Sequence, residues 1–132
     1  MSVIYIELEN EIPDFDSYVN GRGLARSEEQ LSQLAKSKSL TPLMEFFGVS
    51  PDEFYELGGK PGEVSEEDLE ANNLWFNPED GLSTVEALLA AIVETPKAVE
   101  NPEQVVSELE EWKVVLQHAI SNSTRWRVAV DY

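Results

Sequence analysis

The chain has 132 residues, no cysteine, and 26 acidic against nine basic side chains, for a net charge of −17. This length suits one domain, and a hydrophobic fraction of 42% excludes the composition of a disordered chain; the missing cysteines exclude disulfides, thiolate metal sites and cysteine nucleophiles together. The charge is concentrated in residues 51–111, which carry −15, a field that repels phosphate backbones and anionic lipids and so disfavours direct nucleic-acid or membrane-surface binding.

Residues 3–8, Val-Ile-Tyr-Ile-Glu-Leu, place Ile4, Ile6 and Leu8 on one side of a predicted strand. Residues 125–132 mirror it, with Trp126, Val128, Val130 and Tyr132 alternating against Arg125, Arg127, Ala129 and Asp131. The two ends are expected to pair, with Tyr5 and Glu7 sharing the outer face with Arg125 and Arg127 in opposite-charge cross-strand contact. An exposed anion site built from those arginines is the rival reading.

Between the strands, capping residues mark helix starts: Ser27 with Gln30, Thr41 with Pro42 and Glu45, Ser50 with Pro51 and Glu53, Ser83 with Glu86, Asn101 with Pro102 and Gln104, and more weakly Ser65 with Asp68. They predict helices over 28–37, 42–47, 51–57, 66–72, 84–94 and 102–121. The fifth carries a stripe of Val85, Leu88, Leu89 and Ile92, and the sixth one of Val105, Leu109, Trp112, Leu116 and Ala119, both spaced for a buried face. Gly58-Gly59-Lys60-Pro61-Gly62 and Asn77-Pro78-Glu79-Asp80-Gly81 read as punctuation rather than as linkers. The expected fold is a single α+β domain over residues 1–132, mostly helical, with a small sheet that includes the paired terminal strands.

No basic leader precedes an apolar run, and the longest apolar stretch, 87–93, is far shorter than the ~20 residues that span a bilayer. A cytoplasmic protein without membrane insertion is the expectation.

Motifs that carry chemistry are sparse. The single histidine, His118, falls off the apolar stripe of the sixth predicted helix, and with no second histidine or cysteine it reads as a surface residue rather than a catalytic or metal-binding one. Gly21-Arg22-Gly23 with Arg26 is glycine-rich and basic ahead of a helix, yet fits neither a phosphate loop nor a dinucleotide fingerprint, so a permissive turn is favoured over an anion cradle. Asp14 and Asp16 are the candidate oxygen ligands for a divalent cation, weighed against solvated loop charge.

Leu74-Trp75-Phe76 sits beside Glu66, Glu67, Asp68, Glu70, Glu79 and Asp80. Such a triplet either plugs the core from a loop or stands out as an aromatic anchor ringed by carboxylates, an arrangement suited to a basic protein partner. The expectation for function is therefore a protein-binding module of inhibitor or immunity-like character, without a cofactor and more plausibly not an enzyme, with Trp75, Phe76 and those acids as the contact residues. The alternative is a carboxylate-based small-ligand or divalent-metal-binding protein or hydrolase, with self-association into a homodimer through an exposed sheet edge as a third course.

Overall fold

The computed structural model describes residues 3–49, 55, 60, 62, 65–71 and 73–131. The two ends of the chain form the sheet: β1 (Val3–Leu8) and β2 (Trp126–Asp131) run antiparallel, with Ile4 opposite Val130, Ile6 opposite Val128 and Leu8 opposite Trp126. Because side chains alternate along a strand, these six share the face that meets the helices, while Tyr5, Glu7, Arg127 and Ala129 share the other. The α+β class and the pairing of the termini agree with the alternation read in the sequence.

The helices are α1 (Arg22–Arg26), α2 (Glu28–Ser37), α3 (Glu66–Ala71), α4 (Pro78–Glu94) and α5 (Pro102–Ser121), with short 3-10 turns at Leu43–Phe46 and Pro96–Ala98. Among them, α4 and α5 carry the core. Val85, Leu88 and Ile92 of α4 and Val105, Leu109, Trp112 and Leu116 of α5 are buried together with Ile4, Ile6, Trp126 and Val128 in one hydrophobic cluster. Both stripes lie where the three-and-four spacing puts them. No helix among the described residues is long and apolar enough to cross a membrane.

Several local expectations change. The segment over 42–47 is a 3-10 turn rather than an α-helix, α1 stands where only a turn was expected, and the predicted helix over 51–57 lies, Tyr55 apart, outside the described residues. The largest correction is at α4, which starts at Pro78 rather than residue 84. Asn77-Pro78-Glu79-Asp80 is its opening: proline at the first helical position gives up no hydrogen bond, and the two acids sit in the first turn, where helix polarity favours them. Ser83 is then interior, its hydroxyl donating to the Glu79 carbonyl at 3.1 Å. Ser65 makes the side-chain cap that its spacing with Asp68 suggested, its oxygen accepting from the Asp68 amide at 3.1 Å.

The outer edge of each strand carries a short bridge. Gly21 donates its amide to the Ile4 carbonyl at 3.0 Å on the β1 side, and a Cβ at Gly21 would fall 2.2 Å from that oxygen, so only glycine fits. On the β2 side, Phe76 exchanges both backbone hydrogen bonds with Trp126, at 2.9 and 3.0 Å, and Gly48 donates to Val128 at 3.3 Å. These bridges leave less unpaired ladder for a second copy to join.

Trp126 is fully buried, and its ring lies so close to Gly81 of α4 that a Cβ there would sit 2.1 Å from it. In an exposed helix interior, Gly→Ala gains up to ~1 kcal/mol of helix propensity. Here the ring sits where the methyl would go, and overpacking governs. Gly81→Ala is expected to lower stability by about 1–3 kcal/mol, read from the urea midpoint at unchanged slope.

Candidate binding groove

The loop from Asn73 to Asn77 positions the aromatic pair singled out in the sequence. Because Phe76 is held on β2 as a one-residue antiparallel bridge, its neighbour points the opposite way, as in any extended segment. Phe76 turns inward, half-buried, meeting Phe46 edge-on at 5.4 Å. Trp75 turns to the other side, where its ring stacks on the Arg127 guanidinium, 4.0 Å from ring centroid to Cζ. Leu74 is exposed.

Arg127 is 1% exposed on the sheet face that faces away from α4 and α5. Its Nη2 donates to Glu7 Oε1 at 2.8 Å and its Nη1 to Asn73 Oδ1 at 2.9 Å. The expected Glu7–Arg127 cross-strand pair therefore forms, with Arg127 buried beneath Trp75 and Glu7 half-buried rather than on an open outer face. Arg125 pairs one step along, with Glu9: Nε donates to Oε1 at 2.9 Å and Nη2 to the second carboxylate oxygen. That hydrogen bonding holds the Glu9 carboxyl below the ordinary glutamate range, against a smaller opposing effect of burial, and raises Arg125 correspondingly.

On the opposite side of Phe76 the surface opens into a groove of about 390 Å³. Leu40, Phe46 and Phe76 give it an apolar floor, and Ser39, Thr41, Glu45, Asp80, Ser83 and Thr84 line its sides. The 3-10 turn supplies Glu45 and Phe46, and the first two turns of α4 supply Asp80, Ser83 and Thr84. Both carboxylates are exposed and accept only. The hydroxyl protons of Ser83 and Thr84 are already committed, to the carbonyls of Glu79 and of Thr41 at 3.1 and 2.9 Å. Both carboxylates and the Ser83 hydroxyl therefore offer lone pairs to a visitor, while Thr84 is buried.

The acids named from the sequence do not converge on one spot. Asp80 joins Phe76 in the groove, whereas Glu79 lines a separate recess of about 200 Å³ with Arg125, Ser123 and Thr124. Glu67, Asp68 and Glu70 are exposed on α3; Glu66 opens that helix, and its side chain lies outside the described set. Glu45 and Phe46 were missed as site residues. Glu45 carried only a capping signal with Thr41, and nothing in a single chain says that the 3-10 turn meets the start of α4.

The remaining candidates occupy ordinary structural positions. Asp16 accepts from the Tyr18 amide at 2.9 Å, and Asp14 occupies a left-handed turn position with φ of 59°. Among the described residues, no group of three or more side chains of metal-binding type could hold an ion. His118 is exposed, stacked on Phe15 with ring centroids 4.1 Å apart, and its Nδ1 donates to the Val114 carbonyl at 2.9 Å. The glycine-rich segment does seat an anion, and the anion is the chain's own: buried Glu108 of α5 accepts from the amides of Gly23 and Leu24 at 3.1 and 3.0 Å and from Gln104 Nε2 at 3.0 Å. A Cβ at Gly23 would lie 2.8 Å from the Glu108 carboxylate, which accounts for the second glycine.

Compared with known proteins, the chain matches no family model, and neither a curated protein nor a solved structure is similar to it.

Two outcomes follow from these ion contacts. Glu108→Ala strands two buried amides and is expected to cost about 2–4 kcal/mol in a denaturant titration, while Glu108→Gln, which keeps one accepting oxygen, costs less. Since the Glu9 carboxyl is lowered on folding, its contribution to stability is fully present above the unfolded glutamate range and disappears as pH falls through the lowered folded value. The gap in thermal midpoint between the wild type and Glu9→Gln is accordingly expected at neutral pH and closes in strong acid.

Proposed function

We infer that this chain is a binding module for a basic protein partner. The observation that carries the reading is where the charges stand. Glu67, Asp68, Glu70, Glu79 and Asp80 are exposed on α3 and on the first turn of α4, on either side of the loop that carries Trp75 and Phe76, whereas Arg125 and Arg127 are tied to Glu9 and Glu7 within the molecule. With a net charge of −17, the surface draws cationic proteins in and turns polyanions away, and its attraction acts over a Debye length of about 8 Å at physiological salt. Rim charges of this kind set the association rate and its salt dependence, and local contacts set the lifetime of the complex.

Trp75 and Phe76 support the reading as scaffold more than as anchors. Trp75 covers the buried Arg127, and Phe76 ties the loop to β2. Truncating either would disturb the fold together with any interface, so surface carboxylates make the cleaner test. The chain is immobilised and used to capture proteins from a lysate of its source cell at low and at raised salt, beside the triple variant Glu67→Gln, Asp68→Asn, Glu70→Gln, checked for an unchanged thermal midpoint. A basic protein retained at low salt, released by raised salt and depleted on the variant is expected. Retention of nothing, or retention indifferent to both salt and the carboxylates, overturns the reading.

A further inference from the structure

We propose that the groove between the 3-10 turn and the start of α4 is the receptor for a single arginine side chain of the protein partner. The inference rests on the basic-partner reading and makes it local.

Size, shape and polarity agree. At about 390 Å³ the groove is at the small end of the range for ligand sites, enough for one long side chain and too small for a domain edge. Its floor is aromatic, formed by Phe76 with Phe46 edge-on to it. A guanidinium stacks on such a face, and its alkyl stem lies along apolar surface. Glu45 and Asp80 on the sides accept the charge-assisted hydrogen bonds that the planar fork of arginine delivers in pairs.

The acceptors narrow the choice of ligand. Ser83 directs its proton to the Glu79 carbonyl, so its remaining lone pairs join the exposed Glu45 and Asp80 carboxylates as acceptors on the groove wall. A phosphate or carboxylate ligand brings only acceptors and negative charge of its own. An arginine brings five N–H donors and a positive charge. Lysine satisfies the charge but presents a compact ammonium that stacks less well and pairs with carboxylates one bond at a time. Among the described residues, no arginine or lysine lines the groove.

Amide chemical shifts of the isotope-labelled full chain, titrated with acetyl-Gly-Arg-Gly-amide at low salt, test this directly. The arginine peptide is expected to give saturable shifts at Leu40, Phe46, Phe76, Asp80 and Ser83, with weaker saturation by the lysine peptide and none by the peptide carrying neutral citrulline. Glu45→Gln and Asp80→Asn together are expected to weaken binding by about tenfold, each single variant by less. Shifts that appear on α3 instead, or that are equal for arginine and lysine, overturn the arginine groove while the basic-partner reading survives on α3. A hexa-arginine peptide that shifts no amide anywhere at low salt overturns both.

Discussion

Trp126 ties the sheet to the 3-10 turn, to the start of α4 and to α5. Its backbone joins three segments that are distant in sequence: it pairs with Leu8 of β1 in the sheet and exchanges two hydrogen bonds with Phe76 on the other edge. Its indole Nε1 donates to the Asn77 carbonyl at 3.1 Å, next to the first residue of α4, and its ring meets Gly81 one turn further on. Phe46 lies tilted against the same ring at 4.9 Å and Trp112 of α5 approaches edge-on at 6.3 Å. One side chain thus fixes how far the 3-10 turn, the two long helices and the sheet stand from one another, and the groove walls inherit that spacing.

The constraint has a cost that explains why the ends are so apolar. Bringing β1 to β2 closes a loop of nearly the whole chain, which by polymer statistics costs about 4 kcal/mol in length-dependent entropy alone. Each fully buried aliphatic or aromatic side chain returns about 1.5–3 kcal/mol, so Ile4, Ile6, Trp126 and Val128, all buried, exceed the closure term together where no one of them would. The terminal strands are therefore stable only as partners of the helical layer. Two strands alone are marginal, and here α4 and α5 cover one face while Trp75 and Asn73 cover Arg127 on the other.

What could be read from residues follows from which interactions are periodic. The strands and the stripes of α4 and α5 were legible because Ile4, Ile6 and Leu8, or Val85, Leu88, Leu89 and Ile92, repeat at the period of their own element. The start of α4 was misjudged because Asn-Pro-Glu-Asp-Gly suits a turn and a helix opening equally well, and the glycine that suggests a turn is required by Trp126 from 45 residues away in the chain. Glu108 failed for a similar reason: a glutamate on a helix of many glutamates gives no sign that two amides near Gly23 wait for it. Of the groove, Phe76 and Asp80 were legible as an aromatic among acids, while Glu45 and Phe46 belong to it only through a tertiary meeting that Trp126 enforces.

The acidity and the internal ion pairs act against each other in a way that bears on binding. A net charge of −17 repels itself within the folded molecule and lowers the stability of the compact state. The pairs Glu7–Arg127 and Glu9–Arg125 neutralise the acids nearest the sheet, so the sheet that closes the chain is shielded while the repulsion is left on α3, α4 and α5. A cation arriving at those helices relieves a strain already present in the free protein. Any partner that binds the folded chain and not the unfolded one stabilises it by mass action, and a cationic one would add relief of repulsion to its own contacts.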